Sequence, residues 1–469
     1  MVDKFKGLAV QEKEGKTRRL FFGAYLALTG LQKYFENYAE LCHRRIQKLS
    51  KYEVISRKSL ETLANNLTHL SKNPPTTLVQ GAQLALSVFI TLHITGEPVS
   101  IGRLDQVLGK FVTYTYNDEI KEEDQEVLDH FWLKVGEKAN FNKAFFEDHQ
   151  KWGNLAMGGM ASAYPQGASF NQWGHQLTVG GTKRDGNPGY NAVTLMCIRA
   201  ARRIPVNAPC LGLRVTKDIP KIFLVEAARC MLSGGGHPIL LNDDRIIPAI
   251  MQSGNYKLNP NNKYSFDTTK WDPRVDIKDA NDYSSDGCHE FLISGKCWFC
   301  LSGLPTLQPL EWLLNEGMDL LSSGARFIHG KKVHYIEHKI SELQNGTFEE
   351  FLNKYFELFK TTIAKNFTFQ LFNYGKVSDI YPTSLLNAFT AGFDTRKADF
   401  YSNGVTYNQF CPQFTGVANL TNALWNIKKY VFETKELTLH HVRQMLLNNW
   451  GETITEPFIP EHLPNITKG

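Results

Sequence analysis

The sequence of 469 residues predicts an α/β fold with a helical N-terminal region. Over residues 18–50, apolar side chains recur at i, i+3 and i+4 spacing, which indicates an amphipathic helix. After residue 190, short apolar runs alternate with helical patterns, as is typical of parallel strands joined by crossover helices. Between these regions, residues 151–190 are rich in glycine and polar turns, which marks a change of organisation.

The elements follow from the same patterns, taken in chain order. Helices are predicted at 18–50, 58–72, 77–95, 123–138, 192–201, 222–232, 347–365, 419–433 and 437–449. Buried strands are predicted at 211–215 and 238–241. Pro74-Pro75 separates two of the helices, and Thr347 with Glu350 has the spacing of a capping box. We therefore expect a mainly helical region at 1–150, an α/β core at 151–456 and a tail at 457–469.

Composition excludes several classes of protein. Hydrophobic residues make up 42% and charged residues 21%, which is ordinary for a globular chain. The net charge of +5 (52 basic minus 47 acidic side chains) is spread without a basic block, so neither nucleic acid nor a membrane surface is an expected partner. Eight cysteines without an N-terminal signal peptide indicate a reducing, cytoplasmic location.

The stretch Asp286-Gly287-Cys288-His289-Glu290, followed by Gly295-Lys296, is the strongest candidate site. A cysteine and a carboxylate one residue apart, beside a glycine, suit a tight loop at 284–296 that directs both side chains at one place. On its own such a pair is more often a buried cysteine beside a surface acid, so the interpretation depends on the motifs around it.

Two other motifs have simpler explanations. Cys297-Trp298-Phe299-Cys300 has zinc or redox spacing, but only six residues separate it from Glu290, and such cysteines are more often buried packing residues. Gly234-Gly235-Gly236 precedes a predicted strand without a following Gly-Lys-Ser/Thr, which favours a tight turn over a phosphate loop. No metal site is predicted.

An ordered set of motifs resembles the glycyl radical enzyme family, which includes pyruvate formate-lyase, glycerol and diol dehydratases, and choline trimethylamine-lyase. The set runs through most of the chain: Asn73-Pro74-Pro75, Gly102-Arg103-Leu104-Asp105, Thr178-Val179-Gly180-Gly181, Asp185-Gly186, Asn191, Leu213-Arg214-Val215, Gly234-Gly235-Gly236-His237-Pro238, Asn242-Asp243, Gly287-Cys288-His289-Glu290, Tyr407-Asn408 and Gly416-Val417-Ala418-Asn419.

The resemblance implies part of a ten-stranded α/β barrel around the cysteine loop, with a helical N-terminal region. It implies that Cys288 carries a thiyl radical and that Glu290 acts as the base on a neighbouring hydroxyl. The Cys-x-Glu form is similar to the dehydratase and lyase branch, which cleaves C–O, C–N or C–C bonds of small hydroxylated substrates. His289, Tyr407 and Asn408 are the residues expected to contact substrate, although Tyr407-Asn408 suits strand-end packing equally well.

The sequence departs from the family pattern because it contains no Arg-Val-x-Gly-Tyr segment for the radical glycine. We therefore expect a chain truncated at both ends, with no cofactor of its own. A separate small glycyl-radical subunit and a radical-activating enzyme would supply the radical. Two alternatives remain open: a catalytically inactive homologue that acts as a binding or regulatory protein, and a thiol enzyme that uses Cys288 as a nucleophile.

Overall fold

The computed structural model describes most of the chain. The described residues are 1–95, 99–136, 176–206, 209–252, 258–259, 262–266, 275–286, 290–319, 331–332, 339–380 and 383–447. No helix in these ranges is both long enough and apolar enough to cross a membrane.

The chain divides into two compact units. The first comprises Met1–Cys300 and Leu371–Gln409, and the second comprises Leu301–Gln370 and Phe410–Gly469. The expected division into 1–150, 151–456 and 457–469 stays a prediction, and its last segment lies outside the described residues.

Helices occupy the described residues before 137. They are α1 (Val2–Gln11), α2 (Gly15–Ile46), α3 (Val54–Leu70), α4 (Leu78–Ile94), α5 (Leu104–Leu108) and α6 (Glu122–Gly136). The four helices predicted here are confirmed. Helix α2 begins where the Glu14 carboxylate accepts hydrogen bonds from the first free backbone N–H groups. Its buried stripe of Phe21, Ala24, Leu28, Leu31 and Phe35 recurs at three- and four-residue spacing, which is the period that the sequence pattern showed.

A three-stranded parallel sheet follows in the order β1 (Gln176–Gly180), β2 (Cys210–Val215) and β3 (Ile239–Asn242). Helix α7 (Ala192–Arg203) joins the first two strands, and α8 (Lys221–Met231) joins the second and third. The predicted alternation of parallel strands and crossover helices is therefore confirmed.

The two faces of this sheet differ in chemistry. Leu177 and Val179 of β1, with Leu211 and Leu213 of β2, belong to an apolar core shared with residues of α4 to α8. Residues that alternate with them point to the other face, which carries Thr178 and other buried polar side chains. Burial on both faces is typical of parallel sheets.

The rest of the first unit contains the candidate site. Its elements are α9 (Asp243–Gln252), β4 (Leu258–Asn259), β5 (Asn262–Phe266), α10 (Ile277–Asn281), β6 (Tyr283–Asp286), β7 (Glu290–Ile293), the start of β8 (Cys297–Pro305), the end of the long helix α13 (Phe348–Ile380), α14 (Ser384–Phe389), α15 (Phe393–Arg396), a turn at Phe400–Gly404 and the start of β11 (Tyr407–Thr415). Gly234 and Gly236 adopt positive φ just before β3, so the predicted turn is confirmed.

The second unit is built around its own apolar core. Its remaining elements are α11 (Leu307–Leu314), β9 (Met318–Asp319), β10 (Lys331–Lys332), α12 (Ile340–Gln344), α16 (Val417–Asn426), a π-helix at Ile427–Glu433 and α17 (Leu439–Leu447). The Thr347–Glu350 capping box is confirmed, because each backbone N–H donates to the other residue's side chain, at 2.7 and 3.2 Å. Helix α13, which it starts, runs well past the predicted end at 365.

Candidate active site

The candidate site is an antiparallel hairpin made by β6 and β7. Asp286 and Glu290 are directly opposed across the two strands, and each is about nine-tenths buried, with 6% exposed. Directly opposed residues of a hairpin project their side chains from the same face. Gly287, Cys288 and His289, which the sequence links to the chemistry, lie outside the described residues.

Hydroxyl groups attach this hairpin to the polar face of the parallel sheet. Ser285 donates its backbone N–H to Thr178 Oγ1, and the two hydroxyl oxygens are 3.1 Å apart. A Cβ on Gly212 would lie 3.0 Å from Leu241 Cδ1 and 3.4 Å from Ser285 Oγ, so β3 and β6 both pack closely around this glycine of β2. Ser284 and Ser294 pair their hydroxyl groups across the hairpin at 3.0 Å. The position of Glu290 relative to the sheet is therefore held by several buried polar contacts.

The end of β6 has a further attachment at Ser100, whose hydroxyl donates to Asp286 Oδ1. The residues after Ser100 pair with the first parallel strand: Ile101 N–H donates to Gln176 O at 3.1 Å, and Thr178 N–H donates to Gly102 O at 2.9 Å. Asp286 is thus held by a segment that is itself bonded to β1.

A buried ion pair lies at the carboxyl ends of β2 and β3. Arg214 is fully buried and donates from Nε and Nη2 to the two oxygens of Asp243, both at 2.8 Å. It also donates to Tyr283 O at 2.8 Å, and its guanidinium carbon lies 3.8 Å from the centre of the Tyr283 ring. The Tyr283 hydroxyl completes the set by donating to Asp243 at 2.8 Å. The first residue of the hairpin is therefore fixed by the sheet's own charged pair.

Two further buried charged residues, Asp105 and Arg103, support the end of β1. Asp105 accepts from Gly180 N–H at 2.7 Å and from the Thr194 hydroxyl at 2.6 Å. Burial raises the pKa of Asp105, although the neighbouring Arg103 charge acts against that shift. Arg103 donates to Gly180 O at 2.8 Å and to Asp282 Oδ1 at 2.9 Å.

Asp279 joins the hairpin to the segment that carries Tyr407. Lys296, in the turn after β7, contacts Asp279 Oδ1 at 2.6 Å, and Arg184 contacts the same oxygen. The Tyr407 hydroxyl donates to the other oxygen at 2.8 Å. Burial alone would raise the pKa of Asp279, but the hydrogen bonds from Lys296, Tyr407 and Arg184 bring it below its ordinary value.

Tyr407 and Asn408 begin strand β11, and both are buried. The Tyr407 backbone N–H donates to Lys296 O at 3.0 Å, so the structure brings Tyr407 to the turn that follows the hairpin. Burial, together with the bond to Asp279, raises the pKa of Tyr407 to about 12. Asn408 donates to Asn403 Oδ1 at 3.1 Å. Substrate contact by these two residues stays a prediction.

The Cys-x-x-Cys motif begins strand β8. Cys297 accepts a hydrogen bond from Ile293 N–H at 3.4 Å, and burial raises the pKa of its thiol to about 12. Across the described part of the chain, no group of three or more His, Cys, Asp or Glu side chains is placed to hold a metal ion.

Sequence reasoning did not assign roles to Asp279, Ser100 or the pair Arg214–Asp243. A weak signal for the pair existed, because Arg214 lies near the carboxyl end of one buried strand and Asp243 directly follows the next, where side chains from different parallel strands meet. Asp279 lies on a short helix without such a signal. Its role depends on contacts with Lys296 and Tyr407, which lie 17 and 128 residues away in the chain, so no local pattern links them to Asp279.

Comparison with known proteins decides the family. The family model described as pyruvate formate lyase-like matches residues 3–463. The chain belongs to the pyruvate formate lyase-like family. The predicted resemblance to glycyl radical enzymes is thus confirmed.

Members of the pyruvate formate lyase-like family with known activity are similar to this chain over most of its length. It is 24% identical over 445 residues to (2S)-3-sulfopropanediol dehydratase of Klebsiella oxytoca, covering 93% of the chain and 48% of the relative. It is 24% identical over 465 residues to the 4-hydroxyphenylacetate decarboxylase glycyl radical subunit of Clostridioides difficile (strain CD196), covering 93% of the chain and 46% of the relative. The chain therefore spans about half the length of these curated relatives.

A solved structure concerned with 1,2-propanediol dehydration in Roseburia inulinivorans matches with a TM-score of 0.74 at 20% identity. The match covers 100% of this chain and 52% of that one. This likeness shows the fold, an α/β fold of the pyruvate formate lyase-like family.

Proposed function

We propose that this chain is the thiyl-bearing part of a glycyl radical enzyme of the dehydratase and lyase branch. It would cleave a C–O, C–N or C–C bond of a small hydroxylated substrate. The observation that carries the proposal is the position of Glu290. It is the first residue of a hairpin strand, is almost completely buried, and comes two residues after Cys288 on a hairpin held against the parallel sheet.

The roles proposed for the two residues are complementary. The Cys288 thiyl takes a hydrogen atom from a substrate carbon, so that an S–H bond forms as a C–H bond breaks. Glu290 takes the proton of a neighbouring hydroxyl, and the leaving group departs from the adjacent carbon. A glycyl radical supplies the unpaired electron, and we propose that a separate small subunit, charged by a radical-activating enzyme, provides it. His289, Tyr407 and Asn408 remain proposed substrate contacts.

The rest of the fold prediction is part of this proposal. Strands β1, β2 and β3 would form part of a ten-stranded barrel, with the hairpin on its inner face. Support comes from the polar face of the sheet, where Thr178 and Arg214 are completely buried under the hairpin. The names of the two relatives support the reaction class, since one is a dehydratase of a diol and the other is a glycyl radical subunit.

The test is anaerobic purification from the native source, with mass spectrometry of the proteins that co-purify. A small partner carrying an Arg-Val-x-Gly-Tyr segment is expected. The activated complex should then be assayed for cleavage of small diols and hydroxylated acids. The variants Cys288→Ser and Glu290→Gln should each abolish turnover, whereas Cys210→Ser and Glu349→Gln, which make the same changes elsewhere, should retain it.

Two results would count against the proposal. Turnover that persists in air after activation would contradict a radical mechanism, because thiyl and glycyl radicals react with oxygen. A complex that carries a glycyl radical, but turns over equally well with Cys288→Ser or Glu290→Gln, would show that these residues do not do the chemistry. A chain that binds ligand without turnover in any complex would instead favour the binding or regulatory alternative.

A further inference from the structure

A cleft of about 420 Å³ lies beyond the carboxyl end of β1, outside the residues proposed for catalysis. Its walls are formed by Gln106, Lys183, Arg184, Asp185, Lys278 and Asp282. The carboxyl ends of parallel strands are where α/β proteins commonly bind ligands, since the loops there converge. The position alone therefore justifies asking which ligand chemistry the cleft suits.

The loop that carries three of these side chains is held by its own backbone. Lys183 N–H donates to Asn187 O at 2.8 Å, and Gly186 N–H donates to Lys183 O at 2.8 Å. At the base of the loop, Gly189 N–H donates to Gly181 O at 2.7 Å. The cationic side chains thus project from a fixed turn, which lowers the entropy lost when they bind a ligand.

The cleft has more positive than negative charge. The lining residues and their direct ion-pair partners comprise four cations and three carboxylates: Arg103, Lys183, Arg184 and Lys278 against Asp185, Asp279 and Asp282. Asp282 is paired with Arg103, and Asp279 is shared by Arg184 and Lys296.

The surplus positive charge is most available on two lysines. Lys183 is only loosely paired, at 3.7 Å from Asp185, with both side chains well exposed. Lys278 makes no ion pair with any residue that the structure describes. These two ammonium groups can therefore turn towards a ligand without breaking a strong internal contact.

We propose that this cleft binds a small organic phosphate. Lys278 and Lys183 would contact the phosphate oxygens, with Gln106 as an uncharged polar contact. A phosphate monoester carries about −1.5 to −2 charges near neutral pH, so the net positive charge of the cleft attracts it. Ammonium groups bind phosphate as point charges, without the planar geometry that arginine requires.

The test is isothermal titration calorimetry of the full chain with glycerol 2-phosphate, at ionic strength held constant with sodium chloride. Inorganic phosphate is titrated in parallel to separate recognition of the phosphate group from that of the organic part. Lys278→Gln should weaken binding about tenfold, the factor that corresponds to the loss of one charged hydrogen bond. Lys183→Gln should weaken it less, because Lys183 is partly neutralised by Asp185.

The matched control is Lys360→Gln, which removes the same charge from an exposed position on α13. It should leave the affinity unchanged, and circular dichroism should show that all variants are folded. Equal affinities of Lys278→Gln and Lys360→Gln would overturn the proposal. So would a wild-type chain that binds neither phosphate once chloride holds the ionic strength constant. Either result would leave the proposed radical chemistry untouched, because that depends on Cys288 and Glu290.

Discussion

Arg214 and Asp243 form a two-pronged ion pair in which the side chains are 0% and 1% exposed. Arg214 is the penultimate residue of a buried parallel strand, and Asp243 starts the helix that follows the next strand. Their contacts with Tyr283 tie the sheet to the first residue of the candidate hairpin. A charge so deeply buried is tolerated only when each of its donors and acceptors is engaged, so this pair should be sensitive to the loss of one partner.

Replacing Arg214 by methionine should lower the free energy of unfolding by about 3–5 kcal/mol, because Asp243 is left charged and buried without its partner. Urea denaturation would measure the change. Arg203→Met is the matched control, since Arg203 pairs with Glu122 and Asp129 at the surface. We expect that variant to lose no more than about 1 kcal/mol. Similar losses in the two variants would contradict the role assigned to burial.

Gly181 and Gly186 both have positive φ, at +69° and +87°, but their surroundings differ. A Cβ on Gly181 would lie 2.6 Å from both Arg214 Cβ and Asp243 Oδ2, whereas one on Gly186 would meet nothing closer than 4.0 Å. Gly186→Ala should lose about 1–2 kcal/mol through backbone conformation alone. Gly181→Ala should lower the free energy of unfolding by clearly more, because its Cβ also displaces the Arg214–Asp243 ion pair. Thermal and urea unfolding of both variants would decide, and equal losses would refute the explanation.

Asp105 gives a pH-dependent prediction. Burial raises its pKa above the ordinary value of 3.8, so the folded state favours the protonated form. The stability that the folded state gains by protonation of Asp105 is complete below about pH 3.8, and it is lost as pH rises through the folded-state pKa. Relative to Asp105→Asn, the wild type should therefore gain stability as pH falls from 7 towards 4.

Unfolding curves of both proteins at pH 7 and pH 4.5 would measure this difference. Asp118→Asn is the control, because hydrogen bonds from Thr115 lower the pKa of the exposed Asp118. Its difference from the wild type should stay nearly constant over this interval, because a pKa below 3.8 affects stability only at pH values below about 3.8. If the stability difference between the wild type and Asp105→Asn is the same at both pH values, the prediction is wrong.

Tyr407→Phe removes one of the donors to Asp279 while keeping the ring in place. At pH 8 we expect a loss of about 1 kcal/mol, the usual contribution of a hydrogen bond. Because the pKa of Tyr407 is raised to about 12 from an ordinary 10, the wild type loses the contribution of its phenol as pH rises from 10 towards 12. The difference in free energy of unfolding between the wild type and Tyr407→Phe should therefore narrow over that pH range.

Urea midpoints at pH 8 and pH 11 would test this, with Tyr52→Phe as the control, since Tyr52 is 81% exposed. If the stability difference between the wild type and Tyr407→Phe stays constant between the two pH values, the Tyr407 hydroxyl does not act through Asp279. A difference already absent at pH 8 would show that the bond contributes nothing to stability.

Periodicity and motif order were sufficient for much of this protein. The long helix α2, the parallel strands with crossover helices and the Thr347–Glu350 cap were predictable, because each depends on residues close together in the chain. The family was predictable for a different reason. Short motifs such as Gly180-Gly181 and Asn242-Asp243 occur in a fixed order, and such an order rarely arises by chance.

What only the tertiary structure decided was how distant polar residues pair. Ser100 with Asp286, Arg214 with Asp243 and Asp279 with Tyr407 are separated by tens to hundreds of residues, and no local pattern indicates which partner each will take. Buried polar groups must find partners, so the packing of the sheet and hairpin selects them. The sequence by itself determined the family and the local elements, and the fold determined which buried polar residues hold the candidate hairpin against the sheet.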